Sequence, residues 1–249
     1  MIDRGNSMAP AFTTSPLVKA RIAGVLYLVC IATGAFAEMG VRARLVVFDD
    51  AVATAHNILA SPMLYRLGLF CDLASFITGL AIGVLFYELF KPVSRSLALL
   101  ALVFVIVSNT VSLAAIVELQ APLGLLEGHA SPGGFDEAQR QAMALFSLRQ
   151  YEHAFDINLL LFTVDCFTTG VLIFRSTFLP RFLGVLLIVG GAGYLVNSVT
   201  NLMPPSFLRD LFPYDLLPSL VAELTLALWL VVFGVDAAKW EAMRTSRQR

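Results

Sequence analysis

Charge is what this 249-residue chain has least of: 14% of its residues are charged and 58% hydrophobic, against about 25% and about 45–50% in ordinary soluble domains. That balance excludes a water-soluble globular domain and makes a lipid bilayer the chain's solvent and first partner. Seventeen Lys and Arg against eighteen Asp and Glu give a net charge of −1, and the basic residues fall in short clusters. Without a basic stripe, nucleic acid is excluded as a partner. There are three histidines, and the sequence holds no HExxH, CxxC or phosphate-cradling glycine loop, so the common metal, redox and nucleotide motifs are missing. No serine stands in a nucleophile context. The three cysteines, Cys30, Cys71 and Cys166, lie in apolar runs, where a thiol acts as a small hydrophobe, so no disulfide framework is expected. No metal or other cofactor is implied.

What the chain does have is long apolar runs. Six of them, at about 22–40, 67–89, 97–119, 155–174, 182–203 and 218–236, reach the ~20 residues that a helix needs to cross a bilayer. Unpaired backbone groups are not tolerated in lipid, so helices are the expected form. The predicted fold class is all-α, a polytopic six-transmembrane-helix bundle over 20–238, with a flexible tail over 1–19 and a basic tail over 239–249. The first run ends in Ala35-Phe36-Ala37, which resembles a signal-peptidase site. Glu38 continues the polar pattern of the other runs, which favours a retained span.

Basic residues set the expected orientation. Eleven fall on one side (Arg4, Lys19, Arg21, Lys91, Arg95, Arg175, Arg181, Lys239, Arg244, Arg247 and Arg249) and six on the other (Arg42, Arg44, Arg66, Arg140, Arg149 and Arg209). The positive-inside rule then places both termini in the cytoplasm. On the outer side, Asp49-Asp50 is suited to cap a short amphipathic helix through about Ala60, with Val52, Ala55 and Leu59 on one face and the more polar His56 off it. It reads as a lid between the first two spans. The loop PPSFLRDLFPYDLL at 204–217 has the composition of a segment dipping into headgroups, and Tyr87 and Trp240 that of inner-side anchors.

The stretches ARIAGVLYLVCIATGAFAE (20–38), ATAHNILASPMLYRLGLFCDL (53–73), YELFKPVSRSLALLAL (87–102), FDINLLLF (155–162) and GVLIFRSTFLPRFLGVLLIVGGAGYLVNS (170–198) resemble the bacterial integral-membrane family called domain of unknown function 4386. The similarity runs over about 18–235. Its most distinctive element is the turn Arg175-Ser176-x-x-Leu179-Pro180-Arg181 before Leu183-Gly184. The resemblance implies a multi-helix membrane bundle and carries no activity.

Polar residues inside the spans recur at one depth. Glu38, Asp72, Glu118, Asp156, Asn197, Asn201 and Glu223 all fall in the outer third of their runs, whereas the inner half is aliphatic apart from Glu88. A carboxylate deep in a span costs about 2.5–3.5 kcal/mol unless paired or hydrated, so Asp72 and Glu223 are expected to face a shared interior. Arg149, Glu152, His153 and Asp156 share one helical face, from which Arg149 and His153 could balance part of that charge. Asp72, Glu118, Arg149, His153, Asp156 and Glu223 are thus the candidate ligand-binding set, lining a polar chamber open to the outside. Crowded carboxylates there would hold a proton or a cation. Asp165, nine residues beyond Asp156, falls on the opposite face of its helix. It is expected to make a structural interhelical bond to the stretch Ser108, Asn109, Thr110 and Ser112, with a proton relay as the competing role. Gly79 and Gly83 form a Gly-x-x-x-Gly pair compatible with internal packing or a homo-oligomer.

Three functions remain open. Binding or transport of a small molecule or lipid in the outer chamber fits best. A structural or regulatory membrane protein needs only the bundle. An intramembrane metal enzyme would draw on the cluster EHAFD at 152–156, a pattern more often interfacial charge than a ligand set, and enzymatic activity is accordingly the lesser expectation.

Overall fold

The protein was analysed as a computed structural model that describes residues 15–128, 134–203 and 216–246. Among these residues every regular element is helical. Ser15 caps α1 (Pro16–Ala35) by accepting from the Val18 amide, with Pro16 at the first helical position. The rod does not stop at residue 40. It passes into a π-helical segment, Phe36–Arg42, and a last turn, α2 (Ala43–Leu45), so that Pro16–Leu45 is one 30-residue apolar helix.

Asp50 caps α3 (Ala51–Ala60) through the Ala53 amide, as its position suggested. The face differs from expectation. Thr54, Ala55 and Ile58 are buried, while Val52 is 62% and Leu59 47% exposed. Thr54 exchanges two hydrogen bonds with the backbone of Val47, and Asn57 donates to the Leu45 carbonyl. These polar bonds, absent from an apolar count, turn the helix onto its Thr54 face.

Four longer helices follow: α4 (Pro62–Phe90), α5 (Arg95–Leu126), α6 (Glu137–Arg175) and α7 (Arg181–Leu202). The fourth apolar run is only the second half of α6, which starts earlier because Asp136 and Gln139 form a reciprocal capping box. With Pro16–Leu45 these make five helices long and apolar enough to cross a membrane. The sixth apolar run yields α8 (Leu217–Val232), 16 residues, which ends where Gly234 adopts φ 68°. A bend of 99° then leads into α9 (Ala237–Ser246). The stretch expected to be a basic tail is therefore helical through Ser246, docked by Trp240, whose indole donates to the Leu89 carbonyl. At the other terminus, residues 16–19 of the expected tail belong to α1. Residues 1–14, His129 and most of the 204–217 loop lie outside the described residues.

The helices form a ring. Neighbours in the order α1, α4, α5, α6, α7 and α8 pack on each other, and α8 packs back on α1. Small residues set the close approaches: a Cβ on Gly184 would stand 2.5 Å from the Gly170 carbonyl oxygen. Gly79 and Gly83 face Asn109 and Val105 of α5, so the Gly-x-x-x-Gly pair serves internal packing. The core has two apolar clusters, one at the end carrying Phe90, Phe178 and Trp240, the other at the end carrying Val41, Ile58 and Leu119. We call these the Trp240 end and the Arg42 end. Both described chain ends lie at the Trp240 end, where Gly234 abuts Leu17 and α1 touches α9. There Lys19 and Lys91 both pair with Glu88, at 3.1 and 2.7 Å.

Candidate functional site at the Arg42 end

Arg42 is the centre of the polar structure at its end of the bundle, although its position just past the first apolar run reads as a loop. It is 7% exposed. The i, i+4 spacing from Glu38 puts the two side chains together on the π-helical segment, and Glu38 Oε2 takes both Arg42 Nε and Nη2 at 2.8 Å. Arg42 Nη1 donates to Asp72 Oδ2 of α4 at 2.5 Å. Glu152 of α6 stands 3.9 Å from Arg42 Nε. The guanidinium lies 5.0 Å from the centre of the Tyr151 ring, and the Tyr151 hydroxyl reaches Asp72 Oδ1 at 3.5 Å. Gly68 leaves the space through which α4 meets Val41. Short π-helical stretches commonly mark functional positions; here the segment brings Glu38 and Arg42 against α4.

Above this centre, α3 and the turn before it are fastened by Arg149, which donates from Nη2 to the Phe48 carbonyl. A cavity lined by Val41, Arg42, Tyr65, Gly68, Leu69, Asp72 and Leu119 leaves ≈ 10 Å³ for a water's centre, room for about one molecule. The Tyr65 hydroxyl at its wall donates to the Leu119 carbonyl at 2.7 Å.

The six residues expected to line one chamber are distributed among separate contacts. Asp72 belongs to the Arg42 centre. Asp156 accepts from Asn201 of α7 at 2.8 Å, with exposed His153 as an electrostatic neighbour. Arg149 holds the α3 turn, and Glu118 is half-buried on α5 without a hydrogen bond or ion pair among the described residues. Glu223 lies deeper, bonded to Tyr194 of α7. Depth along a helix was readable, but the direction each side chain points depends on which helices are neighbours, and the ring order separates Asp72 on α4 from Glu223 on α8.

Asp165 also departs from expectation. Its hydrogen bond comes from Thr169, one turn along its own helix, at 3.0 Å. Ser108 and Asn109 instead donate to the Val105 carbonyl, and Thr110 to that of Ile106. Asn109 is turned toward Gly79, so Ser108, Asn109 and Thr110 satisfy themselves along their own helix, while the buried Ser112 hydroxyl has no hydrogen-bond partner among the described residues.

The family model described as "Domain of unknown function (DUF4386)" matches residues 22–234. The chain belongs to the DUF4386 family. An uncharacterized protein of Archaeoglobus fulgidus is 20% identical over 158 residues, which cover 64% of this chain and 78% of that protein. No solved structure matches. The DUF4386 match takes in the whole Arg42 centre and Glu223, so both polar centres lie in the region that defines the family.

That DUF4386 region also contains residues outside the predicted binding set: Glu38, Arg42, Tyr65, Tyr151 and Glu152 at the Arg42 centre, and Tyr27 and Tyr194 near Glu223. The Glu38–Arg42 spacing was the one available signal for the first. Tyrosines within apolar runs gave none, because an aromatic at helical spacing is usually core. Among the described residues no group of three or more His, Cys, Asp and Glu gathers as a metal site.

Proposed function

We propose that this multi-pass membrane protein binds a small cationic solute, of the primary-amine class, on the outer side of a cytoplasmic membrane, with the Arg42 centre as the closed form of the site and α3 as its cover. The carrying observation is the charge balance at that centre: one guanidinium stands among Asp72, Glu38 and Glu152. Three formal negative charges against one positive exceed what a helix-locking ion pair requires. Glu38 and Glu152 keep side-chain exposures of 47% and 33%, an acidic mouth leading to a buried pair, suited to attract a cation and to exchange Arg42's partners for it. The outward orientation rests on the eleven-to-six division of basic residues.

The test is thermal unfolding of the full chain in detergent with ethylammonium chloride, sodium chloride and ethanol compared. The reading expects a saturable rise in Tm with the amine alone, lost in Glu152→Gln and Glu38→Gln. Identical responses to the amine and to sodium chloride would count against it. The structural reading has one observation of its own: the cavity beside Arg42 admits about one water, so that without movement of α3 the centre acts as a lock between the π-helical segment, α4 and α6. Absence of the amine effect would leave that reading in possession.

A further inference from the structure

The second polar centre lies deep in the bundle and is not part of the Arg42 site. Glu223 of α8 is 8% exposed. Tyr194 of α7 donates to its Oε1 at 2.9 Å, and Tyr27 of α1 is an electrostatic neighbour. At ~1.5 Å per residue, Glu223, Tyr27 and Tyr194 stand roughly 14–20 Å from the Trp240 end of their helices. The ionisable groups facing this cluster are Asp165 and Cys166 of α6 and Cys30 of α1. None of the groups that interact with Glu223 among the described residues is a Lys, Arg or His. Nothing in the cluster balances a carboxylate's charge, and one carboxyl with two phenols offers too few oxygens for the six or more ligands of a hard metal ion. A glutamine would accept the same tyrosine bond without placing a charge in the bundle.

The surroundings are asymmetric. Toward the Arg42 end, α7 presents Tyr194, Asn197 and Asn201 at spacings of three and four, one helical face. Asn201 donates to Asn197 Oδ1 at 3.4 Å and to Asp156 Oδ1 at 2.8 Å, so this polar face leads up to exposed His153 and the aqueous rim. Toward the Trp240 end, Tyr27 meets Phe86, Phe86 meets Phe90, and Phe90 stacks on Phe178, with ring centroids 6.2, 5.7 and 5.9 Å apart. That aromatic column closes the other direction.

We propose that Glu223, held between Tyr27 and Tyr194, is a proton-binding site in the middle of the bundle, loaded from the Arg42 end along the Asn197 and Asn201 face of α7. Loading forms one O–H bond at the Glu223 carboxylate, takes its proton from a hydronium ion at the rim, which becomes water, and changes the site's charge from −1 to 0. The inference stands apart from the amine reading, since it uses none of the Arg42 centre.

Infrared difference spectroscopy of the full-length protein in lipid nanodiscs tests it. The expected result is a carboxylic-acid C=O band that disappears as pH is raised, is missing in Glu223→Gln, is displaced in Glu223→Asp and persists in Asp165→Asn. After a pH jump, Asn201→Leu slows its disappearance at least several-fold. The aspartate variant carries the assignment should the glutamine variant fail to fold. A spectrum in which neither Glu223 variant alters a titrating C=O band would overturn the site. Unchanged kinetics in Asn201→Leu would overturn the loading route.

Discussion

Arg42 and Asp72, thirty residues apart in the chain, join Nη1 to Oδ2 at 2.5 Å with both side chains less than a tenth exposed. The pair fixes the last turns of the first rod against the first half of α4, and does so within an apolar cluster containing Val41, Tyr65 and Leu119. Taking two charges out of water is offset only while each keeps its partner.

Removing one member should therefore be worse than removing both. Arg42→Met and Asp72→Leu are each expected to destabilise the protein by about 3–5 kcal/mol, and the double variant by much less. Thermal unfolding in detergent, run as a double-mutant cycle, measures the coupling. Additive losses would show that the two residues act independently.

Gly184→Ala should destabilise by about 1–3 kcal/mol, the usual range for an overpacked contact. The added Cβ would meet the Gly170 carbonyl at 2.5 Å and the Phe174 amide nitrogen at 2.8 Å, both backbone, so no rotamer change relieves it. A Tm equal to wild type would mean that α6 and α7 do not cross this closely.

The docking of α9 should weaken in acid. Asp236 accepts from the Lys239 amide at 3.1 Å and pairs with its ammonium at 3.1 Å, which hold its carboxyl below the usual carboxylate range. A depressed folded value means that the stabilisation is complete above the unfolded value, near 3.9, and is lost as pH falls through the folded one. In a Trp229→Phe background Trp240 becomes the single tryptophan, and its emission should shift to the red below about pH 4. Asp236→Ala, which removes the cap as well as the charge, should give the shifted spectrum at neutral pH as well.

Orientation is checked by labelling. In a cysteine-free background, Asp49→Cys should react with an impermeant maleimide in intact cells and Ser246→Cys only after permeabilisation. The reverse pattern would invert the bundle and place the Arg42 centre on the cytoplasmic side.

The helices were legible because hydropathy over about twenty residues is a property of one segment at a time. The first run came out shorter than its helix because Glu38 and Arg42 look like a terminus when each is counted as an exposed charge; paired, they extend it to Leu45. The start of α6 was missed for a similar reason, since Glu137–Ala154 is polar enough to resemble a loop and is held as helix by its capping box. Partnerships between helices were not legible. Asp72, Asp156 and Glu223 share a sequence signature, yet their partners come from the π-helical segment, α7 and α7 again, a choice made by packing order, which no single segment encodes.

Closure of the ring by α1 and α8 also bears on how the molecule is made. Gly24 lies against Ala227, Leu230 and Val231, residues that do not exist until nearly the whole chain has been translated. At ~5–20 residues per second, the Gly24 stripe of the nascent first helix is without its companion for on the order of ten to forty seconds. During that interval the stripe must lie against lipid or an insertion factor, and a polypeptide released before Leu217 keeps it there. Premature termination therefore leaves an open seam on the newborn protein where the finished ring has α8.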